Sequence, residues 1–433
     1  MSSRSVFPLL LAAVLPGAPL SVGVIPGVDP SAFRITTFIS GVGPATTVAA
    51  APGGGMLVAT GFANATVRRY VDVDGNGVAD GVGAPVIQLT AGGAITSLAN
   101  VGPFVAVGVA GAGVQFFAPG PGPNDPYVNL GAVNIGFTPD WWHNTPGLAV
   151  RATPGQPGSY DVLFSIGSIN NNSASPQVGL TGLVTSVVDA DSIYKVTVSL
   201  SGNTLTAGGL TQVIRGIRNA VGMGFQAGTG DLYLADNGID GFVNGNEPES
   251  ADELNRVAAA AIGNGVVDLG FPTRYVQYRT GTLVGGAGGT QPVYAYQPLG
   301  NPLTGSEAEG AAGLAFSPAG FPAALSNGVF VSFYGRGGAV NGLDNEENPV
   351  RYYDFGTGLA YDFISNNEPG VYFPVGLAAV GNSLFLADLA QDGGAVFQIT
   401  AIPEPGTLGL MLLAAFVFAR SRRASSGKRS YGH

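Results

Sequence analysis

The chain has 433 residues, no cysteine and only 11% charged residues, with a formal net charge of −10. Absent cysteine excludes thiolate zinc sites, thiol catalysis and disulfides. The excess of acid leaves no basic face to neutralise phosphates, which excludes nucleic acid as a partner. An apolar content of 45% can build a core, and 69 glycines with so little charge exclude a coiled coil or a charged disordered tail.

At the N-terminus, Arg4 precedes the apolar stretch Val6–Ala18, which reads as a secretory signal interrupted by Pro8 and Pro16. Residues 1–30 are accordingly assigned to a signal and leader, and 31–400 to the body. The strand Ile35–Ile39 opens the body. Next comes Asp72-Val73-Asp74-Gly75-Asn76-Gly77-Val78-Ala79-Asp80, with oxygen side chains at loop positions one, three, five and nine and glycine at six. That spacing suits calcium, with Asp72, Asp74, Asn76 and Asp80 as ligands. Position twelve is Gly83 rather than glutamate, and an Asx-rich hairpin held by its own side chains is the alternative.

A repeat organises the body: a Gly-Leu-Ala-Phe-like run, a turn and a buried strand. Clear copies begin at Gly147, Gly222, Gly313 and Gly376; degenerate ones begin at Thr47 and Ile95. Short-strand sheets cannot bury their faces alone, so six units predict an all-β, six-bladed β-propeller. The third to fifth units are longest, which predicts long loops over one face. The first strand is expected to close the ring against the last blade. The one helical candidate is Ala251–Ile262, Ala-rich and preceded by Ser250.

The last segment has three parts. Pro403-Glu404-Pro405 is a rigid stop, Thr407–Ala419 an apolar run, and Arg420, Arg422, Arg423, Lys428 and Arg429 a basic end that resists translocation. The run is short for a span of about 20 residues, so a core helix or a permanent anchor are the alternatives. Without this tail the body is more acidic still (13 basic against 27 acidic residues).

The three-part end resembles a PEP-CTERM sorting tail. That resemblance implies an exported surface protein of a Gram-negative-type bacterium, held briefly in the membrane by a C-terminal apolar helix within 401–433. It also implies a processing protease of the exosortase type as partner. A second resemblance rests on Arg215–Phe225, Gly230–Gly238 and Ser250–Val257, with support from His143-Asn144-Thr145-Pro146-Gly147-Leu148 and from the Asp72–Asp80 hairpin. These segments resemble the soluble glucose and sorbosone dehydrogenases, six-bladed propellers that bind pyrroloquinoline quinone (PQQ). The resemblance implies His143 as general base, Arg218 as stabiliser of charge on the quinone, and Asn219, Asn237 and Arg336 as cofactor contacts. It further implies Gly238 and Ile239 as carbonyl ligands of the cofactor's calcium.

Several positions depart from that family. Ala220 and Ile239 replace prolines, Thr145-Pro146 replaces two glycines, and Lys195 is the only lysine of the body. Structural readings also stand beside the functional ones. His143 could be a packed rim residue, Arg218 could pair with Asp231 or Asp236, and Asp252 and Glu253 could begin a helix. The acidic loops Asp240–Glu249 and Asp344–Glu347 read as solvated, and the sequons at Asn64 and Asn171 as chance. Two functions follow: an exported PQQ- and calcium-dependent sugar (aldose) dehydrogenase, or a noncatalytic, calcium-stabilised propeller that binds or organises extracellular polysaccharide.

Overall fold

The computed structural model describes residues 20–402 except 91, 242–247, 287, 336–348, 367–372 and 390–392. Arg336, the 344–347 loop, the Val6–Ala18 segment and the C-terminal apolar and basic segments therefore lie outside the described residues.

Six antiparallel-based sheets of four to six strands follow one another along the chain. Their first strands are Ala45–Ala50, Ile95–Asn100, Leu148–Ala152, Ala220–Phe225, Ala311–Phe316 and Pro374–Val380. Each first strand neighbours the first strands of the sheets before and after it, and the sixth neighbours the first. The sheets are thus blades around an axis, one for each sequence repeat, with the first strands lining the centre.

The recurring glycine has a steric cause. A Cβ at Gly147 would lie 2.4 Å from the Ala220 carbonyl oxygen, at Gly222 2.8 Å from that of Ala312, and at Gly313 2.5 Å from that of Val375. At Gly376 it would lie 2.7 Å from the Thr47 Cα. Each glycine lets one inner strand approach the next blade, so it is the closeness of the ring that demands it.

Second strands such as Leu232–Asp236 are buried along their whole length, because both faces meet a neighbouring blade. Six apolar clusters result, one between each adjacent pair of blades. Phe33–Ile39 closes the ring as the outer strand of the sixth blade, with Ile35 opposite Ile399 in Ala395–Ala401. Two other strands stitch blades together. Leu20–Val22 pairs with the end of Leu359–Asn366 in the fifth blade. Gln177–Gly182, a segment of the third repeat, returns to extend the second blade.

Two expectations change. The boundary at residue 30 moves back to at least Leu20, since Leu20, Ile25 and Val28 are buried between the fifth and sixth blades. The helix expected over Ala251–Ile262 is instead the strand Glu253–Val257 and the 3-10 turn Ala259–Ala261. Its Leu254 and Val257 are buried, and its backbone pairs with Leu232–Asp236. Asp231 holds the exit by accepting from the Ala259 N–H (2.8 Å) and from Arg256. Helix propensity is worth less than about 1 kcal/mol per residue, which is too little to oppose strand pairing and burial. Among the described residues there is no α-helix, and no helix is long and apolar enough to cross a membrane.

Candidate functional site at the tunnel mouth

Arg218 and Asn219 immediately precede the inner strand of the fourth blade, and Asn237–Ile239 follow its second strand. The buried Asp236 carboxylate ties these turns together, accepting from the Arg218 N–H (3.0 Å) and the Asn219 N–H (2.7 Å). Burial is the largest influence on Asp236 and pushes its carboxyl up to about 7 against the pull of those two N–H groups. Asp252 makes the matching link between blades. It accepts from the Gly238 N–H at 2.7 Å and, across the boundary to the fifth blade, from the Ala311 N–H at 2.6 Å. It too is pushed up by burial, to about 6. Asp252 and Glu253 thus lie at the start of a buried strand, and the reading of them as helix-opening acids falls with the helix.

His143 arrives from the loop before the third blade. Its N–H donates to the Ser168 carbonyl (3.2 Å), and the Ser168 N–H donates to the Arg218 carbonyl (2.8 Å). Gly167 permits this convergence, since a Cβ there would stand 2.7 Å from the His143 oxygen and 3.0 Å from the Arg218 oxygen. The ring Nδ1 lies 2.7 Å from Ser168 Oγ and 3.0 Å from the Ser168 carbonyl oxygen. Ser168 Oγ donates to the Asn170 carbonyl, so both neighbours of Nδ1 are acceptors. The hydrogen is therefore assigned to Nδ1, which leaves the Nε2 lone pair as the acceptor. Burial first, then the Arg218 cation, lower the His143 pKa to about 3. The ring is neutral at working pH and far less basic than an ordinary histidine.

Arg218 is only 4% exposed. It pairs with Asp240 (2.7 Å), and Asn171 takes its remaining bonds through the side chain (2.9 Å) and the carbonyl (3.0 Å). The expected partners behave differently: Asp236 accepts from the backbone N–H of Arg218, and Asp231 pairs with Arg256. Asn219 donates to Asn237 (2.7 Å) and accepts from Thr145 (3.1 Å), while Asn237 donates to the Ala311 carbonyl (2.6 Å). The Ile239 carbonyl accepts from the Glu249 and Ser250 N–H groups, so this expected calcium ligand is already shared by two donors. Lys195 sits in the third blade and pairs with Asp161 (3.6 Å).

Two adjoining cavities result. A polar one of about 540 Å³ is lined by His143, Arg218, Asp240, Asp252 and Glu309, among others. An apolar one of about 500 Å³ takes residues from all six blades, so it sits over the axis. They share Trp142, Asn237, Gly310 and Tyr334. Trp142 is 64% exposed, and Tyr334 stacks on Phe373 at 4.7 Å. The sequence brought His143, Arg218, Asn219, Asn237 and Gly238 to this mouth. It named Asp236 as a candidate partner of Arg218, Asn171 as a chance sequon and Asp240 as the start of a solvated loop, and it did not single out Ser168. Only the Asn-Gly-Ile-Asp-Gly turn after the fourth blade's second strand signalled Asp240.

The Asp72–Asp80 loop lies elsewhere, against the ring-closing strand: Thr36 donates to the Gly77 carbonyl and the Ala79 N–H to the Phe38 carbonyl. Carboxylate oxygens of Asp72, Asp74 and Asp80 lie within 4.8 Å of one another. Asp72 accepts from the Gly75, Asn76 and Gly77 N–H groups, and Asn76 accepts from the Val78 N–H (2.7 Å). Both readings of the loop are therefore present in one geometry. Its hard oxygen donors fit calcium, while its own backbone already shapes it.

No family model and no curated protein matches this chain. Solved structures do. A calcium structure of a Trichoderma reesei protein of carbohydrate-active enzyme family AA12 superposes with a TM-score of 0.58 at 15% identity, covering 89% of this chain and 98% of that one. The PQQ domain of pyranose dehydrogenase from Coprinopsis cinerea gives 0.57 at 15%, covering 89% and 98%. A Thermus thermophilus protein described as a glucose dehydrogenase gives 0.52 at 15%, covering 85% and 99%. The structural neighbours are sugar-dehydrogenase-type β-propellers. At these identities the likeness establishes the fold.

PQQ itself carries three carboxylates, and the described lining offers such an anion a single guanidinium. Among the described lining residues Arg218 is the one guanidinium and is paired with Asp240, while Asp252 adds a buried carboxylate to the same wall. Asn219 and Asn237 each commit one of their two amide hydrogens within the protein.

Proposed function

We propose that the protein is an exported carbohydrate-binding propeller that takes a neutral sugar into the tunnel mouth. The observation that carries this is the polar cavity itself. Its carboxylates and the His143 Nε2 are acceptors for hydroxyl groups, and the exposed Trp142 offers a face for a sugar ring at its rim. Titration calorimetry against mono- and oligosaccharides tests it. Binding that is lost in Trp142→Ala supports the reading; no binding of any neutral sugar by the folded protein sinks it.

A second reading, a PQQ- and calcium-dependent aldose dehydrogenase, is favoured by the histidine whose free nitrogen shares a cavity with Arg218. Dye-linked aldose oxidation with added PQQ and calcium, abolished in His143→Ala, would favour that reading over the first. In the first reading calcium is a structural ion of the Asp72–Asp80 loop; the second adds the cofactor's own calcium at Gly238 and Ile239. The proposal extends to export, transient anchoring by the C-terminal apolar run and processing by an exosortase-type protease; the apolar and basic segments of the sequence support these points. Deleting residues 403–433 should change the cell fraction in which the protein is found, and an unchanged distribution would remove that part.

A further inference from the structure

The apolar cavity takes walls from every blade: Thr46, Thr96, Thr145, Val221, Ala312 and Val375 represent the six in turn. None of these is charged. The polar groups on its floor are linked to one another, in the series Thr145 to Asn219 to Asn237 to the Ala311 carbonyl. A compartment of about 500 Å³ whose described lining residues are all uncharged, with its floor amides linked to one another, favours an apolar occupant. It adjoins the polar cavity, with Trp142 and Tyr334 lining both. One ligand can therefore span the two.

We infer that the ligand is a glycoside with an aromatic or other apolar aglycone. The sugar occupies the polar cavity beside Asp240 and Asp252, and the aglycone lies over the tunnel axis against Val221, Val375 and Leu389. The inference rests on the carbohydrate reading above and deepens it by naming the ligand class. Burial of the aglycone adds affinity in proportion to the apolar surface removed from water.

The test titrates unmodified protein with a panel of phenyl glycosides and the matching methyl glycosides, with phenol and PQQ run alone. The expected result is that the best phenyl glycoside binds about tenfold or more tightly than its methyl partner, which is about 1.4 kcal/mol. Leu389→Asp should remove that ratio. Equal affinity for the two glycosides overturns the aglycone assignment and leaves the carbohydrate reading intact. Binding of phenol alone, or of PQQ in preference to any glycoside, overturns both. Because the comparison is made on the unmodified protein, it stands even if the variant does not fold.

Discussion

Two acidic clusters in this molecule are built from the same side chain and do opposite things. In the Asp72–Asp80 loop, Asp72 accepts from Gly75, Asn76 and Gly77, all within five residues of itself. At the tunnel mouth, Asp252 accepts from Gly238 and Ala311, 14 and 59 residues away. The loop is exposed and shapes a turn. Asp236 and Asp252 at the tunnel mouth are buried, and they hold the ends of different strands and blades in register. A carboxylate's structural weight thus follows what it satisfies and how dry its surroundings are, rather than how many acids stand near it.

The largest effect that would break this comparison is Asp252→Ala. It strands two buried N–H groups on neighbouring blades and should lower stability by about 2–4 kcal/mol in chemical denaturation. A loss as small as that of an exposed turn residue would refute the stitching role.

Next comes pH. Burial raises Asp236 to about 7, Asp252 to about 6 and Glu253 to about 8, each above its ordinary carboxylate value. The folded chain therefore holds protons that the unfolded chain has released. Their contribution to stability is complete below the ordinary carboxylate range and is lost as pH climbs through the raised values. Melting temperature should fall between about pH 5 and about pH 8. Asp252→Asn, which removes one of these groups, should flatten the slope.

Smaller still is Asp240→Asn. Asp240 is largely exposed, and Arg218 keeps its bonds to Asn171, so the expected loss is about 1 kcal/mol or less. Similarly small is the effect of Asp72→Ala without calcium, about 1 kcal/mol or less from a local turn. Calcium sharpens the contrast: it should raise the melting temperature of the unmodified protein by about 2–4 °C and leave Asp72→Ala unmoved. An equal response of both proteins would take the ion away from this loop.

Much of the fold was legible from the chain alone because a propeller is local in sequence. Each blade is a consecutive hairpin series, so Gly313-Leu314-Ala315-Phe316 followed by Val329–Phe333 announces one unit without reference to the other five. The closing strand at Ile35 was legible too, since an unpaired strand at one end of a repeat array has one place to go. The Ala251–Ile262 segment misled because alanine content speaks for helix, whereas the buried partners Leu232–Asp236 lie in the preceding strand and decide otherwise. At the site, Arg218 and His143 could be named from their motifs, but the tautomer and weak basicity of His143 depend on Ser168, 25 residues on.

The sequence by itself determined the number of blades, the position of the ring closure, the absence of thiol chemistry and the calcium-like spacing of Asp72–Asp80. All of these are written in short windows or in composition. Tertiary structure decided why the repeat needs glycine, which carboxylates stitch the blades, that Asp240 rather than Asp231 pairs with Arg218, and that a polar and an apolar cavity share Trp142. The physical reason is common to all four. Burial and close approach arise between blades, and no window of the sequence contains both sides of a blade interface.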